Sequence, residues 1–109
     1  MVDAAGCEPA LLRDPAGLAR LFDELVRALS LTVVEAPLWH SFPPPGGVTG
    51  LALLSESHLA VHTFPEHRFA ALNVYCCRQR AQPDFRALLA RHLGAREVVI
   101  RELARGGAA

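Results

Sequence analysis

Two runs of alternating side chains, His58 to Phe64 and Phe69 to Cys77, flank the segment Pro65-Glu66-His67-Arg68 and constrain the fold more than any other feature. A strand turns successive side chains to opposite faces, so two such runs around a four-residue turn pair in one register. That register sets Phe64 opposite Phe69, His62 opposite Ala71, Ala60 opposite Asn73 and His58 opposite Tyr75. Leu59, Val61, Leu72 and Val74 then share a core face. His58, His62, Asn73 and Tyr75 share the other, with Cys77 following in phase. Extending the ladder brings Ser57 beside Cys76 and Cys77.

The rest of the chain builds around this hairpin. Asp14-Pro15 is a helix start, with aspartate as cap and proline in the first turn, and Leu18, Leu21, Phe22, Leu25, Val26 and Leu29 follow at helical spacing. Thr32 to Ala36 reads as a strand that continues past Pro37 through Leu38-Trp39-His40. Pro43-Pro44-Pro45-Gly46-Gly47 cannot enter a sheet interior and forms a stiff loop. A strand over Val48 to Ser55 precedes the hairpin. A second helix starts at Pro83-Asp84 and stops at Gly94, and Glu97 to Leu103 is the last strand. Met1 to Ala5 reads as the remnant of a first strand. The order argues for an α+β domain, an antiparallel sheet with two helices on one face.

Composition narrows the function. The 109 residues suit one domain, and 11 basic residues against 11 acidic ones give no electrostatic case for nucleic acid or an anionic membrane. No apolar run reaches the roughly 20 residues of a spanning helix, and the start lacks the pattern of a signal peptide. Three cysteines without Cys-x-x-Cys spacing argue against a structural zinc site and for a cytoplasmic, thiol-bearing protein. A metal held by His58, His62 and His67 is disfavoured, because the first two lie about 13 Å apart along a strand.

Chemistry concentrates at Ser55-Glu56-Ser57-His58, between the apolar runs Gly50 to Leu54 and Leu59 to Phe64. Polar groups set into buried strand sequence carry a desolvation cost that demands partners or a purpose. Taken singly, Ser55 and Ser57 read as turn residues, His62 as a structural histidine, Glu66 as solvated, and Phe42 and Phe64 as core. At about 3.3 Å per residue, His62 lies roughly 16 Å along its strand from Ser57. If both serve one site, His62 comes from a second subunit, which predicts a site shared across a two-fold dimer.

In order, these segments resemble the bacterial and archaeal S-adenosylmethionine decarboxylase proenzymes. The likeness rests on Gly47-Val48-Thr49-Gly50, Ser55-Glu56-Ser57-His58-Leu59, His62-Thr63-Phe64-Pro65-Glu66 and Cys77. It extends to Gly6-Cys7-Glu8-Pro9 and Ala95-Arg96-Glu97-Val98, so it covers nearly the whole chain. It implies a two-layer α/β sandwich and a homodimer of cleaved protomers. It also implies self-cleavage at Glu56-Ser57, giving a β chain of residues 1–56 and an α chain of residues 57–109. The Ser57 hydroxyl attacks the preceding carbonyl, and elimination from the resulting ester leaves a dehydroalanine that hydrolyses to a pyruvoyl group. That group forms a Schiff base with the amine of S-adenosylmethionine and draws electrons as carbon dioxide leaves, supplying the aminopropyl donor for spermidine synthesis. His62 corresponds to the histidine that assists elimination, and Thr49 to a serine that assists processing. Cys77 corresponds to the acid that reprotonates the α-carbon. Glu66 matches a glutamate that holds ribose hydroxyls, Phe64 an aromatic lining the pocket, and Phe42 offers a further face for adenine.

The chain departs from that pattern. Arg78-Gln79-Arg80 follow Cys77 where glycine and acidic residues are common, Asn73 replaces an aspartate, and His67-Arg68 replace Tyr-Gly. A sulfonium cation gains from nearby acids and aromatic faces, so the changes at Asn73 and Arg78 bear on the substrate. Three alternatives follow: decarboxylation of another amino acid, arginine or ornithine; a proenzyme that never cleaves and serves as a dimerisation partner; and an unrelated small binding module.

Overall fold

The computed structural model describes residues 1–76 and 82–106. Six strands form one antiparallel sheet: β1 (Val2–Ala5), β2 (Leu38–Ser41), β3 (Val48–Leu53), β4 (Ser57–Phe64), β5 (Phe69–Cys76) and β6 (Glu97–Ile100), in the order β2-β3-β4-β5-β1-β6. Three helices, α1 (Pro9–Leu12), α2 (Pro15–Ala28) and α3 (Phe85–Leu93), complete the two-layer α+β architecture. A 3-10 turn at Pro65–His67 joins β4 to β5.

The helix signals act where the sequence places them. Asp14 accepts a hydrogen bond from the Ala16 N–H at 3.1 Å, with Pro15 in the first turn of α2. Asp84 caps α3 through the Ala87 N–H at 3.1 Å, and Gly94 ends it in the left-handed conformation. Leu18, Leu21, Phe22 and Leu25 of α2 and Leu88, Leu89 and Leu93 of α3 pack against Val48, Ala52, Leu59, Val61, Ala70 and Leu72 of the sheet.

The hairpin register agrees pair by pair with the sequence expectation, from Phe64↔Phe69 to Ser57↔Cys76. Leu59, Val61 and Leu72 are buried and Val74 packs against the core from a half-buried position, whereas His58, His62, Asn73 and Tyr75 are exposed on the opposite face.

Three expectations need correction. The strand read from Thr32 through His40 is interrupted. Val33 bridges Leu54, and the ladder resumes only at Leu38↔Leu51. Five steps on this side therefore face three along β3, so two residues bulge out before β2. Pro37 lies in that stretch and has no N–H to give to a ladder. Second, β3 stops at Leu53, β4 starts at Ser57 and β6 stops at Ile100. Third, α1 was not expected; one turn of four residues is too short to show a periodicity.

Among the described residues, no helix or strand covers the outer face of the sheet. Leu38, Leu51 and Leu53 lie there 74%, 47% and 59% exposed, beside Tyr75 and Val99.

Candidate active site

β3 and β4 are joined by Leu54, Ser55 and Glu56 alone. The Leu54 N–H donates to the Ser57 carbonyl at 3.1 Å, and the Ser55 N–H donates to the Thr32 carbonyl at 2.9 Å. The Glu56–Ser57 peptide thus lies where a tight loop enters β4, with Ser57 half-buried and paired across to Cys76. Cys77, together with Arg78, Gln79 and Arg80, lies outside the described residues.

His62 stands near the other end of β4. Thr49, its partner on β3, approaches it with Oγ1 3.1 Å from His62 Nδ1. The direct pairing Thr49↔His62 brings these side chains together on the outer face, as cross-strand neighbours do. His40 is Thr49's partner on β2, so His40, Thr49 and His62 form one row across three strands. The His40 ring meets Phe42 edge-on at 4.6 Å between centroids.

A pocket of about 410 Å³ opens beside this row, lined by Phe42, Pro43, Pro45, Gly47, Thr49, His62, Thr63, Phe64 and Glu66. One wall is the loop after β2, closed on itself by Phe42 N–H to Gly47 O and Gly46 N–H to Pro43 O, both 2.9 Å. The other wall is the end of β4 and the following turn, which places Glu66 in the first turn of the 3-10 segment. The turn closes at Arg68, a non-glycine residue with φ +51°, in the region that glycine favours. At Gly47 a Cβ would fall 2.5 Å from the Thr63 carbonyl oxygen, so the two walls touch only because that position carries no side chain. The pocket combines aromatic and proline faces for an apolar ring system, a carboxylate for hydroxyl or cationic groups, and an imidazole with a hydroxyl for proton movement.

Five of the eight residues singled out from the sequence therefore meet in one place: Phe42, Thr49, His62, Phe64 and Glu66. Glu56 and Ser57 do not line the pocket, being separated from it by most of β4. Asn73, whose identity bears on the substrate, is also absent from the lining.

Thr63 was missed by sequence reasoning. It is 5% exposed, and its hydroxyl donates to the Leu12 carbonyl at 2.7 Å while accepting from the Val48 N–H at 2.9 Å. The signal was present, because Thr63 falls in the same phase of β4 as Leu59 and Val61. A hydroxyl on a core phase needs buried partners. At the other end of the outer face, His58 stacks on Tyr75 at 5.3 Å between centroids, and the Arg105 guanidinium lies 5.8 Å from the Tyr75 ring. Cys7 is fully buried, and burial pushes its thiol up to about 11, which keeps it protonated and inert. Among the described residues no group of three or more metal-binding side chains occurs, and no helix is long and apolar enough to cross a membrane.

Comparison with known proteins agrees with the fold. The family model described as S-adenosylmethionine decarboxylase matches residues 1–106. The S-adenosylmethionine decarboxylase proenzyme of Pyrococcus furiosus is 39% identical over 84 residues, covering 77% of this chain and 59% of that protein. The proenzyme of Methanococcus maripaludis strain C5 is 41% identical over 78 residues, 72% of this chain and 62% of that one. The chain thus spans about three fifths of the length of these curated relatives. The crystal structure of the adenosylmethionine decarboxylase from Aquifex aeolicus shares the fold, with a TM-score of 0.69 at 23% identity over 96% of this chain and 92% of that one.

Proposed function

Since the chain belongs to the S-adenosylmethionine decarboxylase family, we propose that it is a proenzyme that severs its own Glu56–Ser57 bond and decarboxylates S-adenosylmethionine. The observation that carries this reading is the pocket in which Phe42, Thr49, His62, Phe64 and Glu66 converge. The adenine ring lies between the aromatic and proline faces, and Glu66 takes the ribose hydroxyls. The product serves as aminopropyl donor for spermidine synthesis, and the enzyme acts in the cytoplasm.

Ser57 suits its role. Its hydroxyl follows a peptide at the end of a three-residue connection, so Oγ can attack the Glu56 carbonyl carbon as the peptide nitrogen departs and the acyl group moves onto oxygen. Severing the chain there frees a strand end and opens neither a helix nor the core. The pyruvoyl group formed from Ser57 supplies the ketone that takes the substrate amine and the electron sink for carbon dioxide loss. His62, oriented by the Thr49 hydroxyl at 3.1 Å, holds and moves a proton. Cys77 donates a proton to the substrate's α-carbon.

Ser57 and His62 lie roughly 16 Å apart on one strand. The reading therefore includes a two-fold homodimer in which each pocket receives Ser57 from the other protomer. The outer sheet face supports it, since Leu38, Leu51 and Leu53 present an apolar surface beside the His62 row.

Intact mass is the direct test. The 11.8 kDa chain is expected to give two fragments, residues 1–56 and 57–109, the second carrying a carbonyl in place of its amino terminus. Ser57→Ala should abolish cleavage, and His62→Ala should slow it by about 10²-fold or more. Cys77→Ala should cleave but turn over poorly. Carbon dioxide release across S-adenosylmethionine, arginine and ornithine reads the substrate. Preference for either amino acid, or cleavage persisting in Ser57→Ala, overturns the corresponding part of the proposal.

A further inference from the structure

We propose that Arg13 is a positioning residue for the substrate pocket, latching the proline-rich loop to α1 and so setting the distance between the pocket's two walls. This rests on the functional reading above and adds to it a specificity device outside the pocket lining.

The two walls come from separate parts of the chain, residues 42–47 and residues 62–66, and both are tied to the end of α1. Leu12 offers its carbonyl to Thr63 Oγ1 at 2.7 Å, which fixes the β4 wall. The next residue, Arg13, donates from Nε to the Pro45 carbonyl at 2.7 Å, across 32 residues, which fixes the loop wall. The Ser41↔Val48 pair holds the loop's ends, and its two internal bonds, Phe42 N–H to Gly47 O and Gly46 N–H to Pro43 O, define its shape, but none of these ties its tip to another element. Pro43, Pro44 and Pro45 supply no N–H with which to join a ladder. A carbonyl is what such a loop can offer, and the guanidinium is a charged donor for it.

Arg13 has no other assignment. It is exposed, forms no ion pair among the described residues, and makes its one hydrogen bond among them to Pro45. Its loss leaves the core cluster untouched, while the loop tip at Pro45 loses its tether. Ser57 and His62 sit on β4, held by ladder pairs to its neighbours, so the latch acts on binding rather than on chemistry.

The test compares wild type, Arg13→Met and Arg13→Lys as folded, self-processed proteins. Arg13→Met should raise KM for S-adenosylmethionine about five- to tenfold, the effect of about one charge-assisted hydrogen bond. Its kcat should stay within about twofold and its cleavage rate should equal wild type. Arg13→Lys, which keeps a charged donor, should restore most of the KM. An unchanged KM in Arg13→Met, or a loss confined to kcat, overturns the proposal. Amide hydrogen exchange reads the latch without reference to activity: Phe42 and Gly46 should exchange faster in Arg13→Met while Leu59 and Val61 do not. Unchanged exchange at Gly46 refutes the latch. A wild-type protein that neither cleaves nor decarboxylates refutes the functional reading instead and leaves the exchange experiment to decide this one.

Discussion

Replacing Thr63 with valine keeps the shape of the side chain and removes one oxygen, so it isolates the buried hydroxyl that joins α1, β3 and β4. That hydroxyl donates to the Leu12 carbonyl and accepts from the Val48 N–H. Leu12 is 0% and Val48 1% exposed, so water cannot take the vacated place without opening the core. Each stranded group costs about 1–3 kcal/mol, and partial relaxation brings the sum to about 2–4 kcal/mol. Valine leaves no cavity, so no packing loss is added. For a domain of this size the expected fall in Tm is roughly 8–15 °C. The measurement is urea unfolding in a Ser57→Ala background, where the chain stays continuous, at one protein concentration so that subunit association contributes equally. Thr63→Ser is the control: it retains the hydroxyl, loses one methyl, and should cost about 1 kcal/mol. A valine variant within about 0.5 kcal/mol of its parent, or a serine variant less stable than the valine one, refutes the account of this hub.

Two further predictions concern the packing around the site. Gly50→Ala places a Cβ 2.2 Å from the Trp39 ring, which lies across β3 and packs at 4.9 Å on Phe22; the ring must move, at about 1–3 kcal/mol, and fluorescence of this single tryptophan should shift toward the solvent-exposed spectrum. Glu24 on α2 is paired with Arg91 and, through Oε1, with His92 Nε2 at 2.9 Å on α3. The His92 hydrogen bond foremost, then the Arg91 charge, hold its carboxyl below the ordinary 4.5. A carboxyl lowered on folding stabilises above its unfolded value and loses that contribution as pH falls through the folded one. The urea midpoint of Glu24→Gln should therefore lie below wild type at pH 7, with the gap closing as pH drops below about 4.5; a gap that persists unchanged in acid contradicts the linkage.

Features that repeat over a few residues were legible in the sequence. The period-two pattern of β4 and β5 gave the hairpin register to the residue, because slipping by one position would turn Leu59 and Val61 to solvent. Asp14-Pro15, Asp84 and Gly94 marked helix ends through local chemistry that needs no tertiary contact. Of the motif residues singled out, Phe42, Thr49, His62, Phe64 and Glu66 do meet at one pocket, and the strand length that keeps Ser57 from the His62 of its own chain could also be read.

What distant segments do together was not legible. Helix α1 is a single turn, the ladder breaks at a proline-bearing bulge before β2, and Thr63 is one polar residue in an apolar phase; none carries a periodic signal. Tertiary structure alone brought residues 42–47 against residues 62–66 and tied both to Leu12 and Arg13. Alternation along a strand decides which face a side chain takes, because it depends only on neighbouring dihedral angles. The width of a pocket depends on hydrogen bonds spanning 32 and 51 residues, which form only once the whole sheet has closed over its helices.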